Sequence, residues 1–175
     1  MSDVGSGDEP RGEMPTLRLD SAAPLGVIAD THGLLRDEAL ALLTDCPQLI
    51  HLGDVGDPEV LTRLAARGPL HAVRGNIDRE GVCAALPTHL QLIVNGQPLQ
   101  LVHDIADCDE RLACAAILHA HSHKPRQTWR DVEGRRQLLF NPGAAGRRRF
   151  RLPLTLGKLW VTPEGLRSAI IHLPL

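Results

Sequence analysis

Five short apolar segments of this chain are each followed within a few residues by histidine, aspartate or asparagine side chains. Residues 25–29, for example, run directly into Asp30-Thr31-His32. Each segment has the length and composition of a strand buried in a sheet. Because ligands of open α/β sheets bind beyond the carboxyl ends of the strands, the polar residues at these ends are expected to meet in one place. The residues concerned are Asp30, His32, Asp54, Asn76, His103, His121 and His123.

Helical patterns separate the first three of these segments. Apolar side chains recur at helical spacing between residues 35 and 43, after the strand predicted at residues 25–29. After the strand predicted at residues 49–52, Asp57-Pro58-Glu59 has the composition of a helix start, with a capping aspartate and a proline at the first helical position. A further strand is predicted at residues 70–73. Strands that alternate with helices imply a parallel sheet with right-handed crossovers.

The second half of the chain has a different pattern, that of hairpins. Asn95-Gly96, the dipeptide that most favours a tight turn, lies between strands predicted at residues 90–94 and 98–102. The sequence therefore predicts a mixed α/β architecture whose second half is rich in antiparallel pairs. Further strands are predicted at residues 115–118, 127–132, 137–140, 156–161 and 166–173.

Length and charge limit the class of protein. The 175 residues suit one domain, predicted at residues 16–175, after a polar and flexible tail at residues 1–15. A formal net charge of -2, with two tryptophans, two phenylalanines and no tyrosine, argues against a dedicated nucleic-acid binder.

Localisation is predicted from segments that the sequence lacks. No apolar run approaches the ~20 residues that a membrane span needs, and the acidic, glycine-rich start has no signal-peptide pattern. The four cysteines show no C-x-x-C spacing, so free thiols in a reducing compartment are expected. A cytoplasmic protein without membrane contact is the prediction, and the oligomeric state is left open. The cysteines are Cys46, Cys83, Cys108 and Cys114.

The residues at the strand ends form a set of oxygen and nitrogen ligands. Two aspartates, one asparagine and four histidines, without a thiolate, suit Mn, Fe or Zn better than a structural zinc site or an all-oxygen site. Seven ligands are too many for one tetrahedral ion and suit two ions about 3.5 to 4 Å apart that share a carboxylate. Taken singly, each short motif has an ordinary explanation as a turn or a buried histidine, so the order and the repetition carry the argument.

These motifs resemble the calcineurin-like metallophosphoesterase superfamily, and specifically its small bacterial and archaeal phosphodiesterase branch. The resemblance covers about residues 25–145 and implies an α/β fold of two facing mixed β-sheets flanked by helices, a four-layer α/β/β/α sandwich. The motifs are Asp30-x-His32, Gly53-Asp54, Gly75-Asn76-x-Asp78, His103, His121-x-His123 and Asn141-Pro142-Gly143.

The resemblance also implies a role for each ligand. Asp30, His32 and His123 would hold one metal ion together with Asp54, which would bridge to a second ion. The second ion would be completed by Asn76, His103 and His121. A hydroxide that bridges the two ions would then attack a phosphate ester. Mn²⁺ is the expected metal, with Fe, Zn and Ni as alternatives.

Some residues near these motifs differ from the family pattern. Asp78 is grouped with Asp54 and Asn76 as catalytic, in the sense that it orients ligands and does not bind the metal. Ile77 stands where many relatives have a histidine that protonates the leaving group, so a slow enzyme or a preference for good leaving groups is expected. Asp104 replaces a glycine and is expected to add negative charge near the metals.

Two arginines are candidates for binding substrate. The basic run at residues 147–151 is expected to be a solvated loop, as most charge clusters are, or else to bring Arg149 to the phosphate of the substrate. Arg74 is the second candidate, and an ion pair is its alternative explanation. His51 and His119 are expected to pack beside the ligands or to hydrogen-bond them. His71, His89 and His172 are assigned no role.

A divalent-metal-dependent phosphodiesterase is therefore the leading hypothesis. Its substrate would be a small-molecule or nucleotide phosphodiester, with nucleic acid less favoured. The alternatives are a phosphoesterase-like scaffold, similar to a subunit of the retromer complex, and a metal-binding module without turnover. The scaffold subunit has lost the histidine of the first motif, whereas this chain keeps His32, which favours the enzyme.

Overall fold

Two β-sheets face one another in the computed structural model, which describes residues 14–175. Apart from Met14 and Pro15, the predicted tail at residues 1–15 lies outside the described residues. The helices within this range are α1 (Asp37–Leu42), α2 (Pro58–Ala65) and α3 (Gly81–Ala84), with one 3-10 turn at Ile105–Asp107. The strands are β1 (Thr16–Leu19), β2 (Leu25–Ile28), β3 (Gln48–His51), β4 (Leu70–Ala72), β5 (His89–Val94), β6 (Gln97–Val102), β7 (Ala116–Leu118), β8 (Arg126–Val132), β9 (Arg135–Asn141), β10 (Thr155–Thr162) and β11 (Gly165–His172).

The five-stranded sheet has the order β11-β10-β2-β3-β4. Strands β2, β3 and β4 pair in parallel, as the alternation of strands and helices predicts. Helix α2 starts as expected, because the side chain of Asp57 accepts a hydrogen bond from Glu59 N at 2.9 Å and Pro58 occupies the first turn. Strand β10 adds to the sheet antiparallel to β2 and forms a hairpin with β11.

The six-stranded sheet has the order β1-β5-β6-β7-β9-β8. The predicted hairpin joins β5 to β6, and Asn95 and Gly96 have φ angles of 49° and 82°, as a type I′ turn requires. Strand β1, which the sequence analysis missed, pairs in parallel with β5 at the edge of this sheet. Its residues are mostly exposed, so they show no apolar run.

The main core lies between the two sheets, and a second core lies between the five-stranded sheet and the three helices. The outer face of the six-stranded sheet carries only a small apolar cluster, beside the 3-10 turn. The predicted fold class, two facing mixed sheets with helices, is confirmed, with the helical layer on this outer face reduced to that turn. The largest fully buried side chains are Phe140, Leu25, Ile28, Leu49, Ile50, Leu52, Leu64, Leu92, Leu99, Leu101, Ile117 and Leu118.

Backbone hydrogen bonds bring the loops after neighbouring strands together at one end of the sandwich. Asp30 N donates to Gly53 O at 3.0 Å, and His32 N donates to Asp54 O at 3.0 Å. In the other sheet, Ala120 N donates to His103 O at 2.8 Å. All four cysteines are free, as predicted. None of the helices among residues 14–175 is long and apolar enough to span a membrane.

Candidate active site

Two groups of possible metal ligands lie at the end of the sandwich where these loops meet. The first, called the Asp30 group, consists of Asp30, His32 and His123. The second, called the Asp54 group, consists of Asp54, His103 and His121. Within each group, one ligand atom from every residue lies within 4.8 Å of the others. The structure therefore brings six of the seven residues predicted as ligands into two groups with the predicted membership.

The carboxylate of Asp54 faces both groups. Its Oδ2 atom lies 3.4 Å from His103 Nε2 and 3.5 Å from His32 Nε2, which belongs to the Asp30 group. Its Oδ1 atom accepts a hydrogen bond from Ile77 N at 3.1 Å, which fixes the orientation of the carboxylate. One oxygen of Asp54 therefore lies where a carboxylate shared by two metal ions would have to lie.

Asn76, the seventh predicted ligand, lies against the Asp54 group. Its Oδ1 atom is 3.1 Å from both His103 Nε2 and His121 Nδ1. An amide oxygen placed between two imidazole nitrogens adds a fourth donor atom to this group. Asn76 therefore completes a set of two oxygen and two nitrogen donors.

The backbone around the ligands is strained. Five residues of the two groups have left-handed φ angles between 47° and 73°, a region that residues other than glycine seldom adopt. Each such residue costs on the order of 1–3 kcal/mol and persists only where the surrounding structure enforces it, which is typical of functional sites. Gly53 and Gly75 allow the loops to pack closely here, because a Cβ atom on Gly53 would meet His103 and one on Gly75 would meet Asp54. The five residues are Asp30, His32, Asp54, His121 and His123.

Asp30 is the residue that most clearly fits a bound cation. Its side chain is fully buried, and neither carboxylate oxygen has a donor in hydrogen-bonding geometry among residues 14–175. Burial therefore raises the pKa of Asp30 from 3.8 to about 7, although the nearby His103 opposes the shift. A buried carboxylate without donors is stabilised by a cation, and a metal ion beside it would reverse this shift.

The histidines of the Asp30 group favour the neutral form that binds metal. Burial lowers the pKa of His32, and burial together with the neighbouring His32 lowers the pKa of His123 to about 4. Their rings lie with centroids 5.2 Å apart. Both imidazoles are thus neutral near pH 7, the form in which a ring nitrogen can bind a metal ion.

The ring of His103 is oriented by a hydrogen bond from its Nδ1 atom to the backbone. Its Nδ1 atom lies 2.7 Å from Leu52 O, and since a carbonyl only accepts, this nitrogen carries the proton and Nε2 faces Asp54. Burial alone would lower the pKa of His103, but the hydrogen bond and charge of Asp54 outweigh it and raise that pKa. In the same pair, the pKa of Asp54 is lowered: burial opposes the shift, and the hydrogen bond to His103 outweighs it.

Asp78 joins two loops and does not enter either group. Its Oδ2 atom accepts hydrogen bonds from Val55 N at 3.2 Å and Gly75 N at 2.9 Å. Its Oδ1 atom accepts from Gly56 N at 3.1 Å. The buried carboxylate holds the loop after β3 against the loop after β4, which is the orienting role that the sequence suggests.

His51 connects the loops that carry the two groups. Gly53 N donates to its Nδ1 atom at 3.0 Å, so Nε2 carries the proton and faces Thr31 Oγ1 at 3.0 Å. Thr31 in turn donates to Val55 O at 2.9 Å. By contrast, His119 is buried and neither ring nitrogen has a partner among the described residues. His51 thus supports the ligands through hydrogen bonds, whereas His119 is packed beside them.

Ile77 and Asp104 lie beside the ligands, as expected. The Ile77 side chain is exposed and offers no proton, whereas its backbone amide orients Asp54. Asp104 Oδ2 lies 3.9 Å from His121 Nε2, and Asp104 Oδ1 accepts from Ala106 N at 3.0 Å. The sequence analysis missed that Asp104 faces His121, because that contact depends on the turn that follows β6.

The two arginines predicted to bind substrate have different surroundings. Arg149 lies in a cleft beside His121 and His123, and its charge lowers the pKa of the buried Asp30. Arg74 lies at the rim of the Asp54 group but donates to Ala84 O at 3.3 Å, at the end of α3. Arg149 is therefore free to meet an anion, whereas Arg74 has a structural partner.

Comparisons with known proteins agree with this geometry. Residues 24–162 match the Calcineurin-like phosphoesterase superfamily domain. A probable metallophosphoesterase of Methanothermobacter thermautotrophicus is 25% identical over 134 residues, which cover 69% of this chain and 76% of that protein. The family match covers most of the chain, so this protein belongs to the calcineurin-like phosphoesterase superfamily.

Solved structures show the same fold. The phosphoesterase YfcE of E. coli has a TM-score of 0.62 and 23% identity, over 86% of this chain and 99% of YfcE. Vps29 of Chaetomium thermophilum has a TM-score of 0.66 and 16% identity, over 87% of this chain and 98% of Vps29. Family membership supports a hydrolase that uses divalent metals, and the two ligand groups are its candidate metal sites.

Proposed function

We propose that this protein is a phosphodiesterase that uses two divalent metal ions, one in each ligand group. The observation that carries the proposal is the position of Asp54, whose Oδ2 atom lies within 3.5 Å of a histidine from each group. A single-metal site needs no such shared carboxylate. The cytoplasmic location proposed for the protein is supported by its four free thiols.

The ligand groups give each residue a task in the hydrolysis of a diester. Asp30, His32 and His123 would hold one ion, and His103 and His121 would hold the other with Asn76. When bound, two such ions neutralise the phosphate and lower the pKa of a water molecule so that hydroxide is available near neutral pH. The water oxygen forms a bond to phosphorus, the P–O bond to one alcohol breaks, and that alcohol leaves with a proton.

The leaving alcohol determines which diesters react fast. Ile77 stands at the rim of the site with an exposed apolar side chain, so it protonates nothing. Positioned acid catalysis is worth roughly 10²- to 10⁴-fold in rate. We therefore expect diesters whose leaving group is acidic, such as p-nitrophenol, to react much faster than dialkyl phosphates.

Hydrolysis of bis-p-nitrophenyl phosphate by metal-stripped protein tests the proposal. Turnover is expected on addition of Mn²⁺, and much less with Ca²⁺, because histidine-rich sites suit Mn²⁺ better than an ion that prefers oxygen. His32→Asn should abolish turnover, whereas the matched His172→Asn, at the end of β11 and away from both groups, should retain it. Asparagine tolerates the left-handed backbone of His32, so the first variant should still fold.

The alternative function is a scaffold or a metal-binding module, as the similarity to the fold of Vps29 would allow. The presence of both complete ligand groups favours the enzyme. Binding of two Mn²⁺ ions without turnover of any diester would favour the alternative and overturn the proposal.

A further inference from the structure

We propose that the substrate carries a nucleobase, which stacks on Phe150 in the cleft beside the metal ligands. This inference rests on the proposed function and names the substrate class of the same site. The cleft, called the Phe150 cleft, has a volume of about 950 Å³. Its walls include His121, Ser122, His123, Arg149, Phe150 and Leu152.

Phe150 is presented to solvent in an unusual way. Its side chain is 88% exposed, although it is large and apolar. Its φ angle is 55°, a conformation that is rare for a bulky residue. Exposure removes the usual gain from burying a phenyl ring, and the strain adds a cost, so folding alone does not explain this placement.

The other aromatic residues of the chain are either buried or have an arginine over the ring. Phe140 is buried in the core. The guanidinium of Arg136 lies 5.5 Å from the ring centroid of Trp129, and that of Arg167 lies 4.4 Å from Trp160. Among residues 14–175, Phe150 is thus the aromatic ring that has neither burial nor a cation over its face.

The ring of Phe150 lies in the same cleft as one histidine from each ligand group. His121 and His123 belong to different ligand groups, and both line the Phe150 cleft. A phosphate held between the two groups would therefore extend a substituent into the cleft. A volume of about 950 Å³ suits a nucleotide, since small-molecule sites measure roughly 300–1,000 Å³.

The charge next to Phe150 matches an anion with an aromatic part. Arg149 and Arg151 flank the ring in sequence, and Lys124 lines the same cleft. Arg149 lines this cleft together with His121 and His123, so its guanidinium lies on the same side of the site as the two ligand groups. Nucleotide recognition needs two elements, a cation that holds the phosphate and an aromatic ring that stacks the base, and here the two lie side by side.

A single nucleotide fits the observations better than a polynucleotide. The whole chain has a formal net charge of -2, and its exposed aromatic surface at the cleft is a single ring. Binding along a nucleic-acid strand needs a basic groove with several stacking side chains. The nucleobase and its phosphodiester are therefore assigned to a mononucleotide-sized substrate.

Two diesters with the same leaving group test the role of the base. Thymidine 5′-(p-nitrophenyl phosphate) and methyl p-nitrophenyl phosphate both release p-nitrophenol, so only the retained group differs. For Phe150→Ala, KM for the thymidine diester should rise about 10-fold with kcat little changed, and the methyl diester should be unaffected. Phe150→Tyr should keep the low KM of the wild type for the thymidine diester, whereas Phe150→Leu should show the raised KM of Phe150→Ala.

The matched control is Trp129→Ala, which removes an exposed aromatic side chain on β8, outside the walls of the cleft. It should leave both diesters unchanged. Equal effects of Phe150→Ala on both diesters, or full activity of Phe150→Leu on the thymidine diester, would overturn the stacking role.

Binding measured by calorimetry separates this inference from the proposed function. The protein loaded with Mn²⁺ should bind thymidine 5′-monophosphate about 10-fold more tightly than inorganic phosphate, and Phe150→Ala should remove that difference. Loss of turnover with this preference intact would defeat the proposed function and leave base recognition standing. Equal affinity for the two ligands would defeat base recognition, and tighter binding of oligothymidylate than of the mononucleotide would defeat the assigned substrate size.

Discussion

The two ligand groups differ in how the protein itself holds them. In the Asp54 group, the ring of His103 is held by Leu52 O. Its Nε2 atom lies 3.1 Å from Asn76 Oδ1 and 3.4 Å from Asp54 Oδ2. In the Asp30 group, both carboxylate oxygens of Asp30 and the Nδ1 atom of His123 are buried without a hydrogen-bond partner among the described residues, and the ring nitrogen nearest to Asp30 Oδ1 is His123 Nε2 at 3.7 Å. The Asp54 group is thus organised by its own hydrogen bonds, whereas we expect the Asp30 group to be stabilised by a bound cation.

The two groups also differ in access. Asp30 and His123 are buried, whereas the side chain of His121 is 48% exposed and Asn76 is exposed as well. An ion in the Asp30 group would be enclosed, and an ion in the Asp54 group would face solvent and substrate. If the proposed two ions bind, we therefore expect the first group to retain its ion and the second group to exchange its ion with solvent.

Asp54→Asn should have the largest effect, because it weakens the link between the groups. The amide keeps one oxygen to accept from Ile77 N, and asparagine tolerates the φ angle of 56°, so the fold should remain. Turnover of bis-p-nitrophenyl phosphate should fall about a thousandfold or more. Asp131→Asn, on the exposed face of β8, is the matched control and should keep wild-type turnover. Wild-type activity in the Asp54 variant would show that no carboxylate joins the groups.

Removing one histidine from each group should separate retained from exchangeable metal. His123→Ala removes a proposed direct ligand, so it should lower the Mn²⁺ affinity of the enclosed site by more than the roughly 10- to 100-fold that loss of a ligand's hydrogen-bond partner costs, and reduce the bound stoichiometry to one ion under dilute metal. His121→Ala should weaken only the exposed site, so one tightly bound ion should remain. Calorimetric titration of metal-stripped protein measures both. If the two variants lost the same ion, the distinction between the groups would be wrong.

Asp30→Asn should stabilise the metal-free protein while abolishing stabilisation by metal. The folded-state pKa of Asp30, about 7, lies above its ordinary value of 3.8, so its contribution to stability is complete below pH 3.8 and is lost as pH rises toward 7. At pH 8 the metal-free variant should exceed the wild type by roughly 1–3 kcal/mol, and at pH 4 the two should be similar. Denaturant unfolding with and without Mn²⁺ measures this. A metal-free variant that is less stable than the wild type at pH 8 would contradict the cation requirement.

His51→Gln should have the smallest effect on the site and tests whether His51, which joins the loops of the two groups, is buried in its neutral form. Burial lowers the pKa of His51 from 6.5 to about 4. As pH falls, His51 is therefore protonated in the unfolded chain before it is protonated in the folded protein. The contribution of neutral His51 to the free energy of unfolding is complete above pH 6.5 and is lost as pH falls toward 4. At pH 5 this loss is about 2 kcal/mol in the wild type and should be absent from the variant. Parallel pH dependence of unfolding in the two proteins would show that His51 is not buried in its neutral form.

Much of the site follows from local sequence patterns. The end of each parallel strand is marked where an apolar run stops, as at Asp30 and Asp54, and the geometry of parallel sheets brings these ends together. The hairpin at Asn95-Gly96 was likewise predicted from two residues whose backbone preferences are strong. These features could be predicted because each is determined by a few neighbouring residues.

Other features depend on contacts between distant residues. Strand β1 is mostly exposed and pairs with β5 through residues about 75 positions away, as at Thr16 and Gln91, so its own sequence carries little signal. Asp104 faces His121, and Phe150 lies beside His123, only because loops from separate parts of the chain pack at one end. The sequence predicts the candidate ligands, whereas the walls of the cleft depend on loop conformation.

The carboxylate of Asp78 has a consequence for how substrate specificity can change. Three backbone amides from two loops converge on it, so those loops should open to solvent together and seldom, with slow hydrogen exchange at Val55, Gly56 and Gly75. The segment around Arg149 and Phe150 is exposed, and its side-chain anchor is a hydrogen bond from Arg147 Nε to His32 O at 3.2 Å. If the protein is the proposed phosphodiesterase, inherited variation in that segment can alter which diester is accepted while the loops that carry the ligand groups stay rigid, so that specificity can change without loss of the reaction.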